Sequence, residues 1–197
     1  MLVPDKDVTK KLLKYARICK SKDVLELGGG KGEFLELCEK IGAKKIVSID
    51  LEPGHPKVKK YEIIKYLKKT KEKFDVIFAR HILEHFTPQN VLLIMKHAFR
   101  ILRKNGLFII IVPNLKNLDV ATNDFWREFE HIRPYNDVGL KRNLEWIGFK
   151  IIKSGQDKDS WDSSWYKEII RKIRKLIVGF PYEAPDYFIV AEKNIDK

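Results

Sequence analysis

The sequence predicts an α/β protein: a doubly wound, mostly parallel sheet of seven strands with helices on both faces. Three observations predict it. Short apolar, β-branched runs alternate with segments of helical apolar spacing along most of the chain, which is the pattern of parallel strands joined by crossover helices. The first run, 24–27, opens straight into Gly28-Gly29-Gly30-Lys31-Gly32, and a helical pattern follows. The second run ends in an acid, Asp50, about 20 residues beyond that glycine turn.

Residues 6–20 form an amphipathic lead helix with Leu12, Leu13, Ala16 and Ile18 available for packing. The first strand, 24–27, is apolar apart from Glu26, and the helix after the glycine turn runs from Glu33 to about Ile41. Gly42 ends it, as a glycine just past a helix does. The second strand is 45–50, and Pro53-Gly54-His55-Pro56 turns the chain. A short third strand is placed at 61–64, in a lysine-rich stretch where Ile63, Ile64 and Leu67 offer core contacts. The fourth strand, 74–79, is clear. Pro88 starts a helix that runs to about Arg103. Asn105-Gly106 turns into the fifth strand, 107–112, which Pro113-Asn114 ends. Residues 115–135 are an irregular aromatic insertion. A helix over 137–146 ends at Gly148, and 149–153 is the sixth strand. A basic helix at 163–178, a Gly/Pro break and a last strand at 187–192 follow. There is no internal repeat or low-complexity tract, and the chain reads as one domain, 1–197.

A chain of 197 residues with 44% hydrophobic residues can bury a full core. Cys19 and Cys38 lack a Cys-x-x-Cys pattern and sit in predicted helices, so they read as small core residues of a reducing compartment. No apolar run is long enough to span a bilayer, and the first residues lack signal-peptide form; the expected address is the cytoplasm. The net charge of +12 permits binding to nucleic acid, acidic lipid or anionic substrates. Abundant Lys, Glu and Ile beside only two glutamines, Gln89 and Gln156, equally suit a thermophile-like composition.

The glycine turn discriminates between ligands. A dinucleotide fingerprint needs glycine at position 33, where Glu33 would repel a pyrophosphate. A Walker A loop needs Ser or Thr after Lys31, where Gly32 stands. What remains, Glu26-x-Gly28-x-Gly30-x-Gly32, resembles motif I of the class I S-adenosylmethionine-dependent methyltransferases, whose ligand carries no phosphate. The stretch 74–86, ending Arg80-His81-Ile82-Leu83-Glu84-His85-Phe86, is similar to the strand-four motif of the type 11 and type 23 members, which include ubiquinone-pathway and polysaccharide-associated enzymes. The likeness continues through 99–106, Val112-Pro113-Asn114 and 124–134, and covers roughly residues 20–193.

The resemblance implies a Rossmann-like methyltransferase fold whose last strand inserts antiparallel beside strand six, with S-adenosylmethionine as cofactor. It assigns cofactor binding to Glu26, Gly28, Gly29, Gly30, Gly32, Asp50, Leu51 and Arg80. Glu26 orders the loop, the glycines let backbone approach the ligand, and the Asp50 carboxylate accepts the ribose hydroxyls. Two departures stand out. No acid after the third strand answers the family's usual one between Lys57 and Lys73, and Lys104-Asn105-Gly106 replaces a Pro-Gly-Gly turn. Asn-Gly still supplies a positive backbone angle there.

Methyl transfer to oxygen is an in-line displacement that needs positioning and removal of the acceptor's proton. His85 and His131 are the catalytic candidates, because a neutral imidazole suits that removal; bracing a loop is the competing role. No metal is assigned. An alternative stays open in which His81, Glu84 and His85, at i, i+3, i+4 on one helical face, bind a transition metal with His131; this resembles the Glu-x-x-Glu-His pattern of metal-dependent small-RNA 2′-O-methyltransferases, with His81 replacing the first Glu. Phe125, Trp126, Phe129, Arg133 and Tyr135 either cover the pocket mouth as a lid or stack on the acceptor. The helix at 163–178 either covers the sheet or meets an anionic membrane surface through its basic side chains. The expected activity is O-methylation of a small molecule or glycan. The alternatives are an RNA 2′-O-methyltransferase, favoured by the net charge, and a non-catalytic S-adenosylmethionine-binding module.

Overall fold

The computed structural model describes residues 6–160, 169–170, 172–173, 176–177 and 183–194. The helices are α1 (Lys6–Ile18), α2 (Glu33–Ile41), α3 (Ile63–Lys69), α4 (Pro88–Ile101), the single turn α5 (Phe125–Arg127) and α6 (Asp137–Ile147). The strands are β1 (Asp23–Leu27), β2 (Lys45–Asp50), β3 (Lys59–Lys60), β4 (Phe74–Arg80), β5 (Leu102–Pro113), β6 (Phe149–Gln156) and β7 (Asp186–Lys193). They form one seven-stranded sheet in the order β3-β2-β1-β4-β5-β7-β6. Neighbours from β3 to β5 pair in parallel, and β7 runs antiparallel between β5 and β6. The expected reversed last strand beside strand six is therefore present.

The two-residue period of the strands divides the core into two faces. Val24, Val76, Phe78, Ile109 and Ile111 point to one side, where Leu12, Tyr15 and Ala16 of α1 and Phe34, Leu37 and Cys38 of α2 cover them. Leu25, Leu27, Ile49, Ile77, Phe108 and Ile110 point to the other, against α3, α4 and α6. Phe34 stacks on Phe78 with ring centroids 3.8 Å apart, which ties α2 to the centre of the sheet. Cys19 and Cys38 are free and buried in that first layer, as expected of small core residues. No helix among the described residues is long and apolar enough to cross a membrane.

Three elements differ from expectation. The third strand is at Lys59–Lys60, pairing only with Ile49 and Asp50, and 63–69 is the helix α3. Ile63 and Leu67 are one helical turn apart and both buried, so helical packing overrides the β-branched run at 63–64. The helix α4 stops at Ile101 because Leu102 already pairs with Phe74. The register then jumps to Val76–Leu107, and Asn105 takes φ +60 inside that irregularity, so Asn-Gly makes a bulge within β5. The segment expected to carry His81, Glu84 and His85 on one helical face is only a 3₁₀ turn, Leu83–His85, and His81 precedes it with φ +51. Most of the basic helix expected at 163–178 lies outside the described residues; Ile169, Ile170, Ile173, Leu176 and Ile177 are helical and exposed.

Candidate functional site

The glycine turn leaves the C-terminal edge of β1 at the middle of the parallel strands, where the order reverses from β2 on one side to β4 on the other. The N–H groups of Gly28 and Gly29 both donate to the Ile49 carbonyl, at 2.9 and 3.1 Å, which pins the turn to β2. Gly29 sits against buried side chains: a Cβ there would stand 1.9 Å from Ser48 Oγ. Gly30 is the opposite case, with φ +45 and nothing within 4 Å of the place its Cβ would fill. Backbone is thus held bare beside open space. The Asp50 carboxylate closes the loop by accepting N–H donors from Gly30 (Oδ2, 2.8 Å) and Glu52 (Oδ1, 2.8 Å), and each oxygen keeps a lone pair for a ligand hydroxyl. The cavity beside this loop, about 200 Å³, is lined by Leu12, Glu26, Gly28, Gly29, Gly30, Lys31, Glu33, Phe78, Arg80 and His81. A bare glycine cradle with a carboxylate beside it fits a nucleoside-type cofactor.

Glu26 is 4% exposed at the floor of this cavity, where Ser48 Oγ–H donates to its Oε2 at 2.6 Å. Burial pushes its carboxyl up to about 7, and the Ser48 hydrogen bond only partly opposes that. The native chain therefore holds this proton more tightly than the unfolded chain, which releases it near 4.5. Stability from this group is full below about pH 4.5 and falls as pH rises to about 7, by roughly 3 kcal/mol. We expect Glu26→Gln to flatten that slope and to melt higher than wild type at pH 8. Parallel melting-temperature profiles for the two proteins would contradict the assignment.

A second cavity of about 390 Å³ is lined by His81, His85, Pro113, Val120, Asp124, Phe125, Glu128, His131, Pro185 and Asp186. His81 lines both cavities, so the two meet at the end of β4. Its Nε2 lies 3.0 Å from Asp186 Oδ1 at the start of β7. Burial pulls the His81 pKa down, but the hydrogen bond and charge of Asp186 outweigh it and hold it above the usual histidine value. His85 and His131 pack edge-to-face with ring centroids 4.8 Å apart. They are brought together by backbone: the Glu84 carbonyl accepts N–H donors from Ile132 (2.9 Å) and Arg133 (3.3 Å). Tyr135 adds a second clamp, its hydroxyl donating to the Phe86 carbonyl at 2.7 Å. Beneath them Glu84 is 1% exposed, and neither carboxylate oxygen has a hydrogen-bond partner among the described residues. Burial raises its pKa beyond what His81, His85 and His131 can offset.

Of the residues assigned to the cofactor, Glu26, Gly28, Gly29, Gly30 and Arg80 line the glycine-loop cavity and Asp50 holds the loop. Gly32 caps α2 with φ 78, and Leu51 is 60% exposed beyond Asp50, outside the lining. Leu12, Lys31, Glu33, Phe78 and His81 join the lining without having been assigned. Phe78 was within reach of the strand period, since it pairs in register with Glu26. His85 and His131 line one cavity, and Glu84 clusters with them. His81 does not join that trio; it is drawn to Asp186. In the insertion Phe125 is buried and lines the second cavity, whereas Trp126 and Phe129 are exposed and outside its lining.

The sequence matches the methyltransferase domain family over residues 5–154. Among solved structures, an S-adenosylmethionine-dependent methyltransferase from Archaeoglobus fulgidus is 26% identical, with a TM-score of 0.77 over 94% of this chain and 93% of that one. An S-adenosylmethionine-dependent methyltransferase from Mesorhizobium loti shares the fold at 14% identity (TM-score 0.62, covering 91% and 96% of the two chains). So does the N-methyltransferase NodS from Bradyrhizobium japonicum, at 13% identity (TM-score 0.63, covering 96% of each). No curated protein matches the sequence. Since the family match takes in β1 to most of β6 and both cavities' β4 wall, the chain belongs to the methyltransferase domain family and is an S-adenosylmethionine-dependent methyltransferase.

Proposed function

We propose that the protein O-methylates a small molecule or glycan held in the 390 Å³ cavity. The observation that carries this reading is His81, which lines both cavities and so sets the acceptor space directly against the cofactor space. When bound, S-adenosylmethionine supplies an electrophilic methyl group on a sulfonium. The chain's task is then to orient an acceptor and remove its proton. His131 Nδ1 lies 2.6 Å from the Phe125 carbonyl, which can only accept, so Nδ1 carries the hydrogen and Nε2 is left with its lone pair. His85 stands on the same wall. Either imidazole can take a hydroxyl proton there.

We expect His85→Ala and His131→Ala to lower kcat by roughly 10²-fold or more with little change in S-adenosylmethionine affinity. The acceptor class is tested by transferring labelled methyl groups from S-adenosylmethionine to sugar, phenol and RNA pools. Label in sugars or phenols at an oxygen supports the proposal. Label confined to RNA, with binding that collapses as salt rises, would give the site to a nucleic acid instead.

A further inference from the structure

The buried carboxylate of Glu84 calls for a counter-charge. A carboxylate 1% exposed with neither oxygen hydrogen-bonded among the described residues is costly unless it is protonated or meets a cation. Two imidazoles stand beside it: one ligand atom each from Glu84, His85 and His131 lie within 4.8 Å of one another. Of these, His131 is oriented for coordination. Its Nδ1–H is spent on the Phe125 carbonyl, the outer hydrogen bond that fixes the tautomer and ring plane of a metal-binding histidine, and Nε2 is the donor left. The Glu84 carbonyl holds the chain at 132–133, so the carboxylate and His131 cannot drift apart without breaking that backbone link.

We propose that Glu84, His85 and His131 form a transition-metal site with an open coordination position facing the acceptor cavity. Two imidazole nitrogens and one carboxylate suit zinc or a similar ion better than magnesium, which prefers oxygen ligands and retained water. Three protein ligands leave a fourth position for a ligand oxygen. At metal–ligand distances of about 2.1 Å the donor atoms of a tetrahedral site lie roughly 3.4 Å apart, so small side-chain rotations close the site. His81 is not counted as a ligand: its Nε2 is engaged by Asp186, and it does not join the cluster of Glu84, His85 and His131.

The inference deepens the proposed acceptor site and rests on it for its consequence. A hydroxyl at the open position would become more acidic and lose its proton to solvent. Its oxygen would then take the methyl group as the bond to the sulfonium sulfur breaks, the demethylated thioether leaving, so that the cation rather than an imidazole prepares the oxygen. Loss of kcat in the histidine variants fits both accounts, and metal binding separates them. The test uses the full chain, stripped with a chelator and titrated with Co²⁺ while visible absorption is followed, then with Zn²⁺ as competitor. S-adenosylmethionine affinity is measured on the same samples by calorimetry. Expected are about one equivalent of Co²⁺, the intense visible bands of a four- or five-coordinate ion, and displacement by Zn²⁺. Glu84→Gln, which keeps the side chain's shape, and His131→Ala should each weaken Co²⁺ by at least about 100-fold and leave S-adenosylmethionine binding intact. Wild type that binds S-adenosylmethionine but not Co²⁺, or Co²⁺ affinity equal in wild type and both variants, overturns the metal site and leaves the methyltransferase reading standing. Methyl transfer found only at an acceptor outside this cavity, with Co²⁺ bound as described, would overturn the acceptor reading instead.

Discussion

Replacing Asp50 with alanine is expected to weaken S-adenosylmethionine binding by about 100-fold, since each hydrogen bond to a charged acceptor contributes roughly 1.5–3 kcal/mol. The variant loses the carboxylate proposed to accept the ribose hydroxyls and also the partner of the Gly30 and Glu52 N–H groups. The loop therefore loosens at the residue whose bare backbone borders the cavity. Asp50→Asn keeps one acceptor oxygen for Gly30 but gives up the charge, so its affinity should fall between the two. Thermal stability should change little by comparison, because Asp50 lies at the strand's partly exposed end. Calorimetric titration of the three proteins checks the order. Equal affinity for wild type and Asp50→Ala would remove Asp50 from the cofactor site.

Gly29→Ala should be strongly destabilising. Its Cβ would lie 1.9 Å from Ser48 Oγ and 3.0–3.1 Å from the methyls of Val58, all in a buried corner. Ser48 can yield only by rotating away from Glu26, which strands a buried carboxyl. Overpacking costs about 1–3 kcal/mol, and the lost partner adds about 1–3 kcal/mol. For a chain of this size that lowers the melting temperature by roughly 5–20 °C. Ser48→Ala in the same chain removes the clash. The double variant should then cost less than the sum of the two single ones, and a strictly additive result would show that the methyl acts elsewhere.

Much of this architecture was legible because it is local. The strands at β1, β2 and β4 follow from short apolar runs that are buried along most of their length, and Gly42 and Gly148 take the left-handed conformations of glycines that end helices. The spacing Gly28-x-Gly30-x-Gly32 likewise corresponds to three positive φ angles, 79, 45 and 78°. What escaped was decided over distance. Lys59–Lys60 is a strand only because the edge of β2 is there to pair with, and Ile63 becomes helical because Leu67 can be buried with it. His81 looked like a neighbour of Glu84 by helical spacing. Its actual partner, Asp186, is 105 residues away, and a left-handed backbone turns it there. The meeting of Glu84 with His131 has no sequence signature either, since it depends on the N–H groups of Ile132 and Arg133 reaching the Glu84 carbonyl.

The placement of β7 between β5 and β6 has a consequence for how the chain matures during synthesis. Translation delivers the N-terminal part first, so the glycine loop, Asp50 and Arg80 are made before β5, β6 and β7. β6 has no sheet neighbour until β7 arrives, and the Ala184 and Pro185 carbonyls that hold Asn114 come with it. Asp186, the counterpart of His81, is delivered in the same stretch. Closing this late antiparallel pairing joins residues far apart in sequence, which is slow compared with local folding. A nascent chain thus holds every residue that lines the glycine-loop cavity well before Pro185 and Asp186 complete the lining of the second cavity.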